Sequence, residues 1–170
     1  MARNVEIKAR VGDLSRIRER ARALGARPAG VLAQTDRYYE IDGGRRVKLR
    51  EIDGACFELI HYDRPERDGV RTSDYTVERF AAGDPTLAEW RGRDARCVVA
   101  KTRELLLLDN VRIHLDRVDG LGTFLELEAV LDDAHDERSC RVAVERLLDV
   151  FGIERGALLR ASYSDLLGSV

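Results

Sequence analysis

The strongest constraint on the fold is a two-residue alternation of apolar and charged side chains that recurs along the chain. In residues 3–11, Val5 and Ile7 alternate with Glu6 and Lys8. The same alternation returns in residues 46–50, 112–116 and 125–128. A period of two is typical of β-strands with one apolar face and one polar face. The sequence therefore predicts a sheet with an apolar face and a face on which long cations and carboxylates collect.

Turn and cap residues divide the chain into strands and helices. Strands are predicted over residues 3–11, 31–39, 45–51, 56–64 and 72–80, followed by three within residues 95–131. Asp13 and Asp84 are typical N-caps, so a helix is predicted after each of them and a longer one over residues 134–151. About eight strands in hairpin order, with helices to cover apolar faces, favour an α+β fold in which a closed antiparallel β-barrel forms one domain over residues 1–170.

The polarity of such a barrel would be unusual. If the helices cover the apolar faces of the strands, the charged faces point inward. Burying so many charges in a dry interior would cost several kcal/mol or more for each ion. We therefore expect a water-filled polar tunnel with the helices packed outside it.

Composition excludes several other classes of protein. The 170 residues include 29 lysines and arginines and 31 aspartates and glutamates, for a net charge of -2. Bulk binding to nucleic acid, which relies on a basic surplus, is not expected. The longest aliphatic run, residues 105–108, is too short to span a bilayer, and no apolar leader is evident, so a cytoplasmic protein without membrane contacts is expected. Cys56, Cys97 and Cys140 are too scattered for a disulfide framework or a zinc site.

The order and spacing of the charged motifs carry a resemblance to a known family. The motifs are Asn4 to Lys8, Lys48 with Arg50, Lys101 with Arg103, Arg112 to Asp116, Glu126 with Glu128, and Ser162 to Leu167. Together they resemble the CYTH domains, also called triphosphate tunnel metalloenzymes, which include class IV adenylyl cyclases and thiamine triphosphatases. The resemblance covers nearly the whole chain.

The resemblance implies a tunnel that binds a triphosphate lengthwise and holds Mg²⁺ or Mn²⁺. The implied phosphate-binding residues are Lys48, Arg50, Arg64, Lys101, Arg103 and Arg112. The implied metal ligands are Glu6, Asp116, Glu126 and Glu128, and the implied catalytic residues are Lys8, Glu6 and Asp116. The chemistry of these residues agrees, because arginine forks match phosphate oxygens and carboxylates are the ligands that Mg²⁺ prefers. Together with Lys8 the cations outnumber the acids, which favours an anionic ligand.

Three further positions qualify this assignment. Asn4 stands where the family's E-x-E-x-K motif has its first glutamate, which leaves open whether one metal ion or two are bound. His114 shares a strand face with Arg112 and Asp116, and could carry a proton, contact phosphate or support the site from behind. Tyr163 could reach the tunnel mouth or simply pack against apolar neighbours.

The predicted function is that of a divalent-metal-dependent enzyme acting on a small-molecule triphosphate: a nucleoside triphosphate, inorganic triphosphate or thiamine triphosphate. Hydrolysis is the first hypothesis. The first alternative is a class IV-type adenylyl cyclase that makes cyclic AMP and pyrophosphate from ATP. The second is a non-catalytic module that binds polyphosphate or nucleotide. The sequence leaves open whether the protein is a homodimer.

Overall fold

Eight antiparallel strands enclose the centre of the structure, a computed structural model that describes residues 2–41, 45–63 and 71–168. They are β1 (Ala2–Arg10), β2 (Arg27–Ile41), β3 (Arg45–Ile52), β4 (Cys56–Asp63), β5 (Arg71–Phe80), β6 (Cys97–Leu108), β7 (Val111–Val118) and β8 (Gly122–Val130). Because β1 pairs with both β5 and β8, the order β1-β5-β4-β3-β2-β6-β7-β8 closes into a barrel. The predicted α+β barrel is confirmed.

The helices begin at side-chain caps. They are α1 (Leu14–Ala23), α2 (Pro85–Arg91), α3 (Glu137–Phe151) and α4 (Tyr163–Leu167). Asp13 and Asp84 accept hydrogen bonds from the first turns of α1 and α2, as predicted. Helix α3 begins at Glu137 rather than at residue 134, because Asp132 accepts hydrogen bonds from the backbone N–H groups of residues 134 and 135 and holds them in a turn. None of the described helices is both long and apolar enough to cross a membrane.

Strand β2 is longer than the sequence indicates. The sequence places the start of the strand at residue 31, because Pro28 and Gly30 are usual strand breakers. In the structure β2 begins at Arg27, and its pairing with β6 shifts register between Pro28 and Gly30. This bulge lets the strand accommodate a proline that cannot donate to the ladder and a glycine at φ 130°.

The largest apolar core lies outside the barrel. The outward side chains of β1, β7 and β8, among them Ile7, Ile113 and Leu127, pack against α1 and α3. On the other side, Phe57 of β4 and Trp90 of α2 belong to a second apolar cluster. The helices thus cover the apolar faces of the strands, and charged side chains line much of the interior, as predicted. A third apolar cluster includes Tyr38 of β2 and Val99 of β6, which share the inward face with Asp36 and Lys101, so part of the interior is apolar.

The outer core should carry much of the stability. We expect Leu148→Ala, which truncates a fully buried side chain of α3, to lower the free energy of unfolding by roughly 2–5 kcal/mol, because it opens a cavity against the barrel. Urea denaturation followed by circular dichroism would measure the change. Val142→Ala on the exposed face of the same helix is the matched control and should change stability by no more than about 0.5 kcal/mol. Equal effects of the two substitutions would contradict the assigned core.

Candidate active site

The inner faces of the strands enclose a polar cavity of about 610 Å³. All eight strands and helix α4 contribute to its lining. Sites for small molecules usually have volumes of about 300–1,000 Å³, so the cavity is large enough for a triphosphate with an attached group. Its lining carries charges of both signs, and many of these charges belong to three groups around Asp36, Asp116 and Glu126.

The first group surrounds Asp36 on β2. Arg50 donates two hydrogen bonds to this carboxylate, at 2.8 and 2.9 Å, and Lys48 Nζ lies 3.5 Å from Oδ2. Asp36 is only 1% exposed, and burial alone would raise its pKa. The charges of Arg50 and Lys48 outweigh burial and hold the pKa of Asp36 well below its usual range. The group therefore remains an ion cluster at neutral pH.

The second group surrounds Asp116 on β7. Arg103 donates to both carboxylate oxygens, at 2.7 and 2.6 Å, while Lys101 and the hydroxyl of Tyr163 donate to Oδ2, at 3.2 and 2.9 Å. Burial, followed by the charge of Arg103, lowers the pKa of Lys101 to about 8. The oxygens of Asp116 are held by three side chains, so this residue fixes the directions of Lys101 and Arg103.

The third group surrounds Glu126 on β8. Lys8 Nζ lies 2.5 Å from Glu126 Oε1, and Arg103 donates to Oε2, so Arg103 bridges the second and third groups. Burial would raise the pKa of Glu126, but the charges of Lys8 and Arg103 lower it well below its usual range. The carboxylate is thus ionised and available to cations.

A potential metal site lies beside this carboxylate. Ligand atoms of His114, Glu126 and Glu128 lie within 4.8 Å of one another, and this is the group of possible ligands found among the described residues. Two carboxylates with one imidazole are a donor set that fits a divalent cation. Glu6 lines the same cavity, whereas Asp116 lies with Lys101 and Arg103 rather than in this group.

Helix α4 contributes Tyr163 to the cavity lining. Ser162 and Asp165 form a capping box at its start, and Asp165 lies 3.3 Å from Arg46 on β3. Lys8 Nζ lies 3.6 Å from the centre of the Tyr163 ring, whose edge packs on Phe124. Burial, together with the charges of Glu126 and Asp116, raises the pKa of Tyr163, so its hydroxyl stays protonated and donates to Asp116. The sequence left open whether Tyr163 packs against apolar neighbours or reaches the cavity. In the structure it does both, because its ring packs on Phe124 and its hydroxyl contacts Asp116.

The structure brings most of the predicted site residues together. Those that line the cavity are Glu6, Lys8, Lys48, Arg50, Lys101, Arg103, Arg112, Glu126 and Glu128, and Asp116 lies directly behind two of them. Asn4 also lines the cavity and is buried. The predicted phosphate ligand Arg64 lies outside the described residues.

Sequence reasoning missed part of the lining. Asp36, Glu58 and Arg79 point into or border the cavity. The strand that carries Asp36 was recognised, but both of its faces hold aromatic and charged residues, so its alternation did not show which face points inward. No local signal singles out Asp36, because Tyr38 and Tyr39 lie on opposite faces of the strand and both are buried.

The chain matches known proteins along nearly its whole length. The family model described as the CYTH domain matches residues 2–163. A protein of Methanocaldococcus jannaschii, named as a candidate adenylate cyclase, is 25% identical over 173 residues, which cover 96% of this chain and 98% of that protein.

Solved structures share the fold. A protein of Pyrococcus horikoshii has a TM-score of 0.78 and 23% sequence identity, with 96% of this chain and 98% of that chain covered. A candidate adenylyl cyclase of Hippeastrum, described as having a dominant triphosphatase activity, has a TM-score of 0.63 and 16% identity, with 98% and 95% covered. At these low sequence identities, the similarity shows a shared fold only.

The cluster around Asp36 should contribute to stability in a pH-dependent way. Asp36→Asn leaves Arg50 and Lys48 without their buried counter-charge, so we expect the free energy of unfolding at pH 7 to fall by roughly 3–5 kcal/mol. Since the folded pKa of Asp36 lies below its unfolded value of about 3.9, its contribution is present above that pH and is lost as the pH falls further. Urea denaturation between pH 3 and 7 should therefore show a shallower acid dependence in the variant.

The matched control is Glu40→Gln on the same strand. The Glu40 side chain is 58% exposed and lies 3.9 Å from Arg96, so its loss should change stability by no more than about 0.5 kcal/mol. An Asp36→Asn protein with the stability and acid dependence of the parent would show that the cluster is energetically unimportant.

Proposed function

Because the chain belongs to the CYTH domain family, we propose that it is a divalent-metal-dependent enzyme that hydrolyses a small-molecule triphosphate inside its barrel. The observation that carries this proposal is the presence, in one cavity, of oriented lysine and arginine side chains next to a carboxylate group able to hold a metal ion. Phosphoryl transfer needs few covalent contributions from a protein and depends mainly on positioning and charge stabilisation.

The cations of the cavity suit a chain of phosphates. They are Lys8, Lys48, Arg50, Arg79, Lys101, Arg103 and Arg112. Arg50 and Arg103 are each held in a fixed direction by a carboxylate, so little side-chain freedom would be lost when phosphate oxygens bind. Because Arg50 and Arg103 are oriented before a ligand binds and belong to different ion groups, they support an anionic substrate with more than one phosphate.

The acids of the cavity support a role for a metal ion. The sequence predicts a clear surplus of cations, but Asp36 and Glu58 also face inward and reduce it. A triphosphate would therefore meet a lining that is closer to neutral than predicted. A divalent cation held by Glu126 and Glu128 would supply further positive charge for the phosphate oxygens.

The remaining residues would bind and orient the substrate. Lys101 and Arg103, fixed by Asp116, would contact the phosphates from one side. Lys8, held between Glu126 and the ring of Tyr163, would place a positive charge close to the same oxygens. Lys8 and Glu6 remain the proposed catalytic residues. Asp116, which the sequence placed with them, is proposed as a positioning residue because it would act through the cations that it holds.

Adenylyl cyclisation is the second candidate. The M. jannaschii protein is named as a candidate adenylate cyclase, and Tyr38 and Tyr75 line the cavity, where an aromatic face could pack on a nucleobase. Cyclisation and hydrolysis would use the same cations and metal ligands and would differ in the attacking oxygen. A non-catalytic binding module, suggested by Asn4 in place of a glutamate, is the third.

Product analysis distinguishes these candidates. The purified protein would be incubated with Mg²⁺ or Mn²⁺ and ATP, inorganic triphosphate or thiamine triphosphate, and the products separated by ion-exchange chromatography. We expect orthophosphate, no product in the presence of EDTA, and at least a hundredfold lower rate for Glu128→Gln. Cyclic AMP with pyrophosphate would establish the cyclase instead. Binding without turnover would leave the non-catalytic module.

A pair of arginines on β7 tests the binding site itself. Arg112 lines the cavity, whereas Arg117 on the same strand is exposed. Since a hydrogen bond to a charged group contributes about 1.5–3 kcal/mol, Arg112→Met should weaken the binding of inorganic triphosphate by roughly tenfold or more. Isothermal titration calorimetry would measure this, and Arg117→Met should bind as the parent does. Equal losses in both variants would mean that the anion binds through general surface charge.

A further inference from the structure

We propose that His114 is a direct ligand of the divalent cation, and that the site consequently prefers a transition-metal ion such as Mn²⁺ to Mg²⁺. The inference rests on the proposed function only for the presence of a divalent-cation site. It goes further in naming a nitrogen ligand and in choosing between the two metal ions that the sequence left open.

The position of the imidazole is the first argument. His114 is 4% exposed, and its Nδ1 atom has no hydrogen-bond partner among the residues that the structure describes. A buried polar atom without a partner costs free energy, so such atoms in a native structure call for a ligand or another explanation. Nδ1 lies 3.7 Å from Glu126 Oε2 and 3.7 Å from Glu128 Oε1, which is too long for hydrogen bonds.

The spacing of the three atoms is the second argument. In an octahedral site with metal–ligand distances of about 2.1 Å, neighbouring ligand atoms lie about 3.0 Å apart and opposite ones about 4.2 Å apart. The two separations of 3.7 Å fall between these limits, and all three ligand atoms lie within 4.8 Å of one another. The bound of 4.8 Å exceeds the opposite-ligand distance by about 0.6 Å, so the side chains would have to close by up to that amount to hold one cation.

The neighbouring cations leave these atoms accessible. Lys8 contacts Glu126 through Oε1, and Arg112 lies 3.7 Å from Glu128 Oε2, so each contacts the oxygen that is farther from His114. Arg103 shares Glu126 Oε2, but a carboxylate oxygen has two lone pairs and can accept a second partner. The His114 side of both carboxylates is therefore the side on which a metal ion can be held.

The chemical type of the ligand atoms determines which metal ion the site prefers. Mg²⁺ favours all-oxygen ligands and gives up its water reluctantly, whereas imidazole nitrogen binds first-row transition ions well. Asn4 lies on β1 two residues before Glu6, which pairs with Glu128, but its amide carbonyl is an oxygen donor and does not distinguish the two ions. Its buried Oδ1 likewise lacks a hydrogen-bond partner within the described part of the chain. A site with one imidazole ligand therefore suits Mn²⁺ better than Mg²⁺.

Electron spin echo spectroscopy of bound Mn²⁺ tests the nitrogen ligand directly. Mn²⁺ would be added to the 170-residue protein, both alone and together with inorganic triphosphate. We expect modulation from a directly bound ¹⁴N nucleus, replaced by a ¹⁵N pattern when the protein carries ¹⁵N-labelled histidine. The isotope exchange needs no mutation, so it remains decisive even if a His114 variant folds poorly. Absence of nitrogen coupling under both conditions would overturn the proposal.

Substitution then identifies the histidine. His114→Gln should abolish the nitrogen coupling and raise the dissociation constant for Mn²⁺ by about tenfold or more, since even outer partners of metal ligands contribute about 10–100-fold. Binding of Mg²⁺ should change by less than about threefold, because Mg²⁺ gains little from imidazole. His61→Gln is the matched control, because His61 on β4 contacts Glu78 on β5, is not part of the group with Glu126 and Glu128, and should leave both affinities unchanged.

The outcomes separate this inference from the proposed function. Nitrogen-coupled Mn²⁺ without turnover would support His114 as a ligand and contradict the enzyme. Metal-dependent turnover with bound Mn²⁺ that shows no nitrogen coupling would support the enzyme and overturn the inference. Tighter binding of Mg²⁺ than of Mn²⁺ by the parent protein would also overturn it.

Discussion

The structure depends on pairing buried carboxylates with lysine and arginine side chains inside a closed barrel. Asp36, Asp116 and Glu126 are each in contact with two or more cations. Moving an unpaired charge of this kind out of water would cost several kcal/mol, so each acid is tolerable only because its cations are fixed beside it. In the proposed enzyme, the same pairing would hold the cations in place before a ligand binds, so stability and binding would depend on the same contacts.

This arrangement requires an apolar core on the outside of the barrel. Helices α1 and α3 cover the outward faces of β1, β7 and β8, and α2 covers part of β3 and β4. Because the helices bury these apolar faces, the interior of the barrel does not have to be apolar. Helix α4 has a different role, because Tyr163 enters the cavity lining and contacts both Asp116 and Lys8. The end of the described chain is therefore part of the site as well as of the packing.

Register explains why the ion groups form. Asp36 is the cross-strand partner of Arg50, Arg103 is the partner of Asp116, and Glu126 has Lys8 and His114 as partners on its two sides. Side chains directly opposite one another in a sheet are within contact distance. The proposed metal ligands are adjacent because β7 and β8 pair in this register. A shift of one strand by one residue would turn its inward charged side chains outward.

The sequence by itself determined most of the strands, the apolar outside and charged inside of the barrel, the N-caps Asp13 and Asp84, and most of the charged lining. These features follow from alternation and capping, which are local properties of the chain. Only the tertiary structure decided that Asp36 points inward, that β2 continues through Pro28 and Gly30, and that Asp116 anchors Lys101 and Arg103. It also placed His114 Nδ1 between two glutamates. These features depend on which residues of distant strands lie opposite one another, and alternation within one strand carries no information about its partners.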